Sequence, residues 1–507
     1  MSNNKKVAKN TLMLYFRQIL ILLVSLYTVR GVLKVLGAED YGIYNVVAGV
    51  VTMCNFLSNS MASATQRYFS YDLGRQDFNH LKETFSSILM VYIFFILLIL
   101  LIGETVGVWF LNHKLVISKE RLYVANIIFQ CSIVSFIFTL ITTPFMALII
   151  AHEDMSVYAY VSIIEASMKL VSVILLKYIP FDKLLIYGVL LCFVSIINTS
   201  IYRIYCHKYY KECVFRITWN KDLLKELISY SGWNLLGSSA TVVKNQVMNI
   251  LLNIFFGPII NAARGIAAQV NGAVISFGQN FSTALRPQVI KKFANQDIKE
   301  CNKLVFEGTK ITYFLMYIII LPLLIEMDFV LSIWLGDIPD KAVLFSRLVL
   351  IDALVECLSY QLMTLVHATG KIKWYQIIIG GIVVLNCPIS LIALKFGAES
   401  YVVLVIAIVL SIVAIFGRLL VLKRQICFNV KDFLVKVVIR CFIVSMLSMI
   451  IPVLLSIIIK NSIVEFCCVC VSSIILVLII VTYIGLSKDE RVNLITMIKR
   501  KFKKENI

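Results

Sequence analysis

Charge is scarce in this chain. Asp, Glu, Lys and Arg make up 15% of its 507 residues, against about 25% in soluble globular proteins. The shortage removes the polar shell that a soluble fold presents to water. Catalytic signatures are missing too. No Gly-rich phosphate loop ends in Gly-Lys-Ser/Thr, so nothing here is built to hydrolyse ATP. No His-Glu-x-x-His zinc pattern and no nucleophile elbow occurs. No cysteine pair has zinc-like spacing with His partners. Most of the 13 cysteines, such as Cys131, Cys192, Cys441 and Cys470, lie inside apolar spans, and Cys467, Cys468 and Cys470 read as small hydrophobes in a helix. No hydrophilic stretch is long enough for a soluble domain. Neither an enzyme nor a cofactor is expected.

What is present is apolar: 60% of the residues are hydrophobic and the mean hydropathy is +0.88. The chain reads as about fourteen spans, each long enough at roughly 20 residues to cross a bilayer as a helix. The first two run from Thr11 to Leu36 and from Tyr41 to Gln66. The seventh and eighth cover Ser231 to Phe256 and Ile260 to Leu285, the tenth Val343 to Ala368, and the last Ile463 to Leu486. Lys5, Lys6 and Lys9 before the first span mimic a signal peptide, but Arg17 and Arg30 interrupt it and no cleavage site follows, so it reads as a retained helix.

The net charge is +19. In a membrane protein Lys and Arg gather in cytoplasmic loops, which explains the surplus without a nucleic-acid partner. One such loop holds Arg203, Lys208, Lys211, Arg216, Lys221 and Lys225. Another holds Arg286, Lys291, Lys292, Lys299 and Lys303. Both termini are therefore expected in the cytoplasm.

The chain also repeats itself. Positions 37–77 align without gaps to 257–297, pairing Gly37 with Gly257, Ala48 with Ala268, Ala64 with Ala284, and Gln76-Asp77 with Gln296-Asp297. The expected class is all-α and polytopic, with two six-helix lobes of the same orientation plus two extra helices, an architecture of transporters. The expected lobes are 1–212 and 213–430. The extra helices fall in 431–487 and a basic amphipathic cytoplasmic tail in 488–507. That tail reads as an interfacial helix on membrane lipids.

Polar side chains inside the spans carry the functional signal, because a charge at depth is costly and faces a bundle interior or a wet cavity. The seventh span has a stripe of Asn234, Ser238, Thr241, Asn245 and Asn249, bordered by Lys244. The second has Thr52, Asn55, Asn59, Ser63 and Gln66, and the eighth has Gln269, Ser276, Asn280 and Thr283. Interhelical hydrogen bonding explains one stripe. Three, two of them on repeat-related spans, point to a hydrated cavity.

The cations at depth are Arg17, Arg30 and Lys34 in the first span, Lys244 in the seventh and Arg264 in the eighth. Arg suits a phosphate because its planar fork makes paired, charge-assisted hydrogen bonds. Snorkelling to the membrane surface competes for Arg17 and Lys34. The expected substrate-binding set is Arg30, Arg264, Lys244, Arg17, Asn55, Asn59, Asn245 and Asn280. In the tenth span Asp352 and Glu356 share a helix face with Ser359 and His367. Two carboxylates so placed cannot both ionise unaided, which makes them a coupling-ion candidate; a salt bridge to Lys244 or Arg264 is the static alternative. Glu165 and Lys169 have the spacing of an intrahelical ion pair.

Two motifs carry a family resemblance: Leu-Gly-Ala-Glu-Asp-Tyr-Gly-Ile-Tyr-Asn at 36–45, after an Arg-bearing first span, and Ala-Thr-Gly-Lys-Ile-Lys-Trp-Tyr-Gln at 368–376, after the tenth. With the span count and halves, the chain resembles the oligosaccharide-lipid (O-antigen type) flippases of the polysaccharide transport family. These belong to the superfamily that also holds multidrug extruders. The resemblance implies a V-shaped pair of six-helix bundles in a bacterial inner membrane. A central cationic cavity would take the pyrophosphate and sugars of an undecaprenyl-linked oligosaccharide, and alternating access would be driven by a proton, sodium or the membrane potential. Other polysaccharide-assembly membrane proteins would be its partners. Two readings compete with it. A cation-coupled multidrug antiporter would use Asp352 and Glu356, although it would want acidic cavity walls. A membrane-embedded polymerase or ligase generally carries a large outer loop, which this chain lacks.

Overall fold

The structure is a computed structural model that describes residues 3–52, 54–113, 119–214, 221–335, 338–459, 462–487 and 490–491. Among the described residues every regular element is helical. The first half contains α1 (Asn3–Thr52), α2 (Asn55–Arg75), α3 (Phe78–Ile102), α4 (Val108–His113), α5 (Lys119–Ala151), α6 (Met155–Leu175) and α7 (Lys183–Tyr209). The second half opens with α8 (Lys221–Ala294), α9 (Ile298–Ile325), α10 (Met327–Leu335), α11 (Ala342–Cys357) and α12 (Tyr360–Thr369). It continues with α13 (Lys373–Lys395), α14 (Val402–Ile426), α15 (Val430–Phe433), α16 (Arg440–Ile458) and α17 (Ser462–Ile480). Most of the expected tail, 492–507, lies outside the described residues.

Among the described residues, ten helices are long and apolar enough to cross a membrane. The other expected spans, the second, seventh, eighth and tenth, are helical as well. They lie in α1–α2, α8 and α11–α12, and they are the ones that carry polar stripes or, in the tenth, a break. The break corrects the sequence reading of one continuous tenth span. The helix stops at Cys357 and restarts at Tyr360. The Ser359 N–H donates to the Glu356 carbonyl at 2.9 Å, an i to i+3 bond of the tighter 3₁₀ kind.

The internal repeat is written into the backbone. Inside α1, Gly37 has φ 80°, ψ 173°; inside α8, Gly257 has φ 79°, ψ −172°. That region is open essentially to glycine alone. Further on, Gln76 and Gln296 both take left-handed φ values, 58° and 61°. Each closes its helix with the same pair of bonds. Gln76 and Asp77 donate to Leu73 and Asp72 at 3.3 and 3.2 Å, while Gln296 and Asp297 donate to Phe293 and Lys292 at 3.0 and 3.1 Å. This is the Schellman closure, built twice at one offset.

The chain divides into two compact units. Unit 1 holds Met1–Ser239, Thr283–Ile298 and Gly370–Gln376, and unit 2 holds Ala240–Ser282, Lys299–Thr369 and Ile377–Ile507. Lipid tails are as apolar as leucine, so packing and interhelical hydrogen bonds hold such units together. In unit 1, Leu14, Ile150, Met155 and Ala284 form one buried cluster and Val32, Val173, Leu176 and Tyr187 another. The Thr142 and Thr199 hydroxyls meet at 2.7 Å between α5 and α7. In unit 2, the Tyr317 hydroxyl donates to the Ser445 carbonyl at 2.8 Å between α9 and α16.

Candidate functional site

Each unit encloses a polar cavity of its own. The unit 1 cavity measures about 510 Å³ and is lined from α1, α2, α5, α6 and α7. Three expected residues reach it: Arg17, Asn55 and Asn59. Arg17 does not snorkel. It donates to the Ser162 hydroxyl at 3.3 Å and stacks over the Tyr158 ring at 4.6 Å. Opposite charges meet on the same wall, where Lys169 Nζ donates to Glu165 Oε1 at 2.6 Å and Asn198 donates to Glu165 Oε2 at 3.0 Å. Several lining hydroxyls, including Thr28, Thr142, Thr143 and Ser162, donate back to their own helix four residues earlier. They are left with lone pairs, as is usual for Ser and Thr in helix interiors.

The unit 2 cavity measures about 280 Å³ and is lined from α8, α11, α12, α13 and α14. Lys244, Asn245 and Glu356 of the expected set line it. Thr241 joins them, so this part of the seventh-span stripe faces the cavity. Its earlier member Asn234 does not: it donates to the Ser60 carbonyl at 2.8 Å and accepts from Gln376 at 3.2 Å within unit 1. The eighth-span stripe contributes no residue to this cavity: Gln279, outside the stripe, lines it, and Asn280 is buried elsewhere than on its lining.

Glu356 lies within electrostatic reach of Asp352, Lys244 and Arg418. Among the described residues neither Glu356 nor Lys244 has an ion pair within 4.0 Å or a side-chain hydrogen bond. Asp352 is held differently, accepting from the Ser411 hydroxyl at 2.6 Å and facing the charge of Arg264. Arg264 stands outside the cavity lining, with its Nε buried and unpartnered. Arg30 contributes no side chain to the description, since its side chain lies outside the described residues.

Sequence reasoning missed Arg418 and Asn386. Arg418 is buried in α14 and donates to Ser359 at 3.1 Å, at the helix break. Asn386 is 0% exposed in α13 and borders the cavity, and its Nδ2 has no partner. An Arg and an Asn deep in two mainly apolar spans were the available signals.

No family model and no curated protein matches the sequence. Solved structures do. The outward-facing conformation of a multidrug resistance MATE family transporter of the MOP superfamily is 11% identical, with TM-score 0.74 over 84% of this chain and 96% of that one. MATE in the bent conformation is 9% identical, with TM-score 0.73 over 84% and 96%. The MATE transporter ClbM in complex with Rb+ is 14% identical, with TM-score 0.67 over 85% and 96%. At such identities the likeness establishes the fold: an all-helical membrane protein with the fold of MATE transporters.

Proposed function

We propose that this chain is a cation-coupled secondary antiporter that exports an amphipathic organic cargo by alternating access. The observation that carries the reading is Glu356, a carboxylate without an ion pair, in a helix-lined cavity of a chain with a MATE transporter fold. A coupling ion biases a two-state carrier only through different affinity for the two states. An unpaired acid has that capacity, because its proton or cation occupancy changes with hydration. The Rb+ complex of a similar structure supports a monovalent cation as the coupling species. Asp352 serves beside Glu356. Arg17, Asn55 and Asn59 contact cargo from the unit 1 cavity, Lys244 and Asn245 line the cavity of the coupling acid, and Arg30, Arg264 and Asn280 support them. The cargo leaves chemically unchanged. The basic loops favour a bacterial cytoplasmic membrane with both termini inside.

A second reading rests on charge. In unit 1 two cations, Arg17 and Lys169, face one acid, Glu165, on the cavity wall. That favours an anionic cargo over an organic cation, and with the motifs at 36–45 and 368–376 it supports a flippase for an undecaprenyl-pyrophosphate-linked oligosaccharide. One experiment tests both. Deletion in a drug-sensitised strain should raise susceptibility to organic cations if the first reading holds. If the second holds, it should instead accumulate lipid-linked oligosaccharide on the inner leaflet. In proteoliposomes the transported species should respond to an imposed pH or sodium gradient. Absence of any gradient response would overturn the coupled mechanism in either form.

A further inference from the structure

The charges around the unit 2 cavity do not balance. Lys244, Arg418 and Arg264 are set against Asp352 and Glu356, and Asp352 is already shared between Ser411 and Arg264. Lys244 lines the cavity with no ion pair within 4.0 Å and no side-chain hydrogen bond among the described residues, and Glu356, which its charge faces, is unpaired as well. An uncompensated charge in a helical interior is expensive, and its relief calls for a counter-ion. The uncharged groups point the same way. Asn386 is 0% exposed, borders the cavity and has an Nδ2 donor with no acceptor. A buried donor without an acceptor is costly. Lys244 and Asn386 both lack what an anion supplies.

We propose that the unit 2 cavity is a binding site for a small inorganic anion, from chloride to phosphate in size, held by Lys244, Arg418 and Asn386. The volume, about 280 Å³, lies at the lower edge of the roughly 300–1,000 Å³ of sites for drug-sized ligands, and it accommodates a small anion with its hydration. Glu356 on the same wall opposes the anion when ionised and no longer does so when protonated. Anion and proton therefore bind in favour of one another, and the coupling is reciprocal. The other groups near this acid are Asp352 on α11, Cys357 at its end and Tyr360 on α12, while Cys387 on α13 lies near Lys244. Asp352 is engaged by the Ser411 hydroxyl. The site rests on cavity chemistry. It shares Glu356 with the antiport reading but is measured without transport, so either can fail alone.

Thermal unfolding of the purified full-length protein tests the proposal at constant ionic strength, in sodium chloride, bromide, phosphate or gluconate. Gluconate, a single carboxylate on a six-carbon chain, is the reference salt, and a shift relative to it reads a preference for a compact anion. The midpoint should rise by a few degrees in one or more of the small anions relative to gluconate, as expected for a ligand that binds only the folded state. The halide and phosphate arms identify which size is preferred. Lys244→Met should abolish the shift while still unfolding cooperatively. Arg418→Gln should do the same if it folds, and Lys244→Met decides alone if it does not. In the wild type the anion affinity should rise as pH falls. In Glu356→Gln it should be flat with pH and about tenfold tighter at neutral pH, the size of one pKa unit of interaction. An equal midpoint in all four salts would overturn the site. A shift that survives Lys244→Met would also overturn it, since the anion would then bind elsewhere.

Discussion

The two units hold their cavity acids in opposite ways. In unit 1 the cavity acid is engaged: Glu165 is gripped by Lys169 at 2.6 Å and by Asn198 at 3.0 Å. In unit 2 the cavity acid Glu356 has no ion pair within 4.0 Å among the described residues. Outside the cavities each unit has ion pairs of both kinds. Unit 1 has the open pair of Arg121 with Asp182, side chains 34% and 33% exposed, and the more buried pair of Lys291 with Glu153, 25% and 7%. Unit 2 has the buried pair of Lys310 with Glu490, 4% and 15%, and the open pair of Arg347 with Asp328, 37% and 68%. The units therefore differ in their cavity charge, and the outlying pairs differ by burial.

The largest expected effect comes from the outlying pairs. Both Glu490 oxygens lie 2.6 Å from Lys310 Nζ, and the Ser487 N–H donates to Glu490 at 2.7 Å while Ser487 accepts back from the Glu490 N–H at 3.3 Å. That is a capping box seated on a buried lysine. Burial pushes the Glu490 carboxyl up, but the bonds from Lys310 and Ser487 outweigh it and hold the carboxyl below its usual range. Glu490→Gln leaves Lys310 buried and unpaired, and should cost about 3 kcal/mol in chemical unfolding at neutral pH. A depressed carboxyl contributes its stability above the unfolded value, about 4.3 for Glu, and loses it as pH falls through the folded value. Wild type and variant should therefore converge in acid. Asp182 is also held low. Burial raises its carboxyl, while the Leu185 and Leu184 N–H groups and Arg121 lower it further. Asn keeps the helix cap, however, and the pair is exposed, so Asp182→Asn should cost under about 1 kcal/mol. Equal costs for the two variants would break the contrast.

A smaller effect tests what the halves share. At Gly37 and Gly257 an added methyl group would meet nothing within 4 Å, so Ala at either position is penalised by the backbone alone. Each substitution should cost about 2 kcal/mol, the range for a strained backbone position, and the two costs should agree. Thermal unfolding of both single variants measures this. A clear inequality would mean that the two breaks are not equivalent parts of one repeat.

The repeat was legible in the sequence for the same reason: only glycine fits that backbone, so Gly37 and Gly257 stand at matching positions while their neighbours diverge. The helical class and the membrane spans followed from composition. Asn55 and Asn59, and Thr241 and Asn245 with Lys244 beside them, line cavities, whereas Asn234 and Asn280 do not. Which members of a stripe face a cavity was not legible, because Asn234 and Asn245 have the same chemistry and differ only in what packs against them. The break at 358–359 carries no Gly or Pro and so has no local signal. Arg418 and Asn386 line one cavity with Glu356 from helices distant in sequence, and in a linear reading of α13 and α14 neither stands out from two mainly apolar spans.

The sharpest test of the contrast compares the two cavity acids directly. Glu165→Gln removes an ion pair whose side chains are 32% and 47% exposed, so it should destabilise by only about 0.5 kcal/mol. Whatever it does to the transport rate, the ratio of rates with and without an imposed gradient should persist, because a fixed pair holds the same charge in both carrier states. Glu356→Gln removes a carboxylate with no ion pair to lose, so the unfolding midpoint should stay level or rise. The gradient ratio should instead collapse towards one, since the neutral amide can no longer exchange a proton or cation between states. The two measurements, unfolding of the purified variants and gradient-driven transport in proteoliposomes, should therefore move in opposite senses for the two acids. If Glu356→Gln destabilises as Glu165→Gln does and keeps its gradient ratio, both acids are structural and unit 2 holds no adjustable charge.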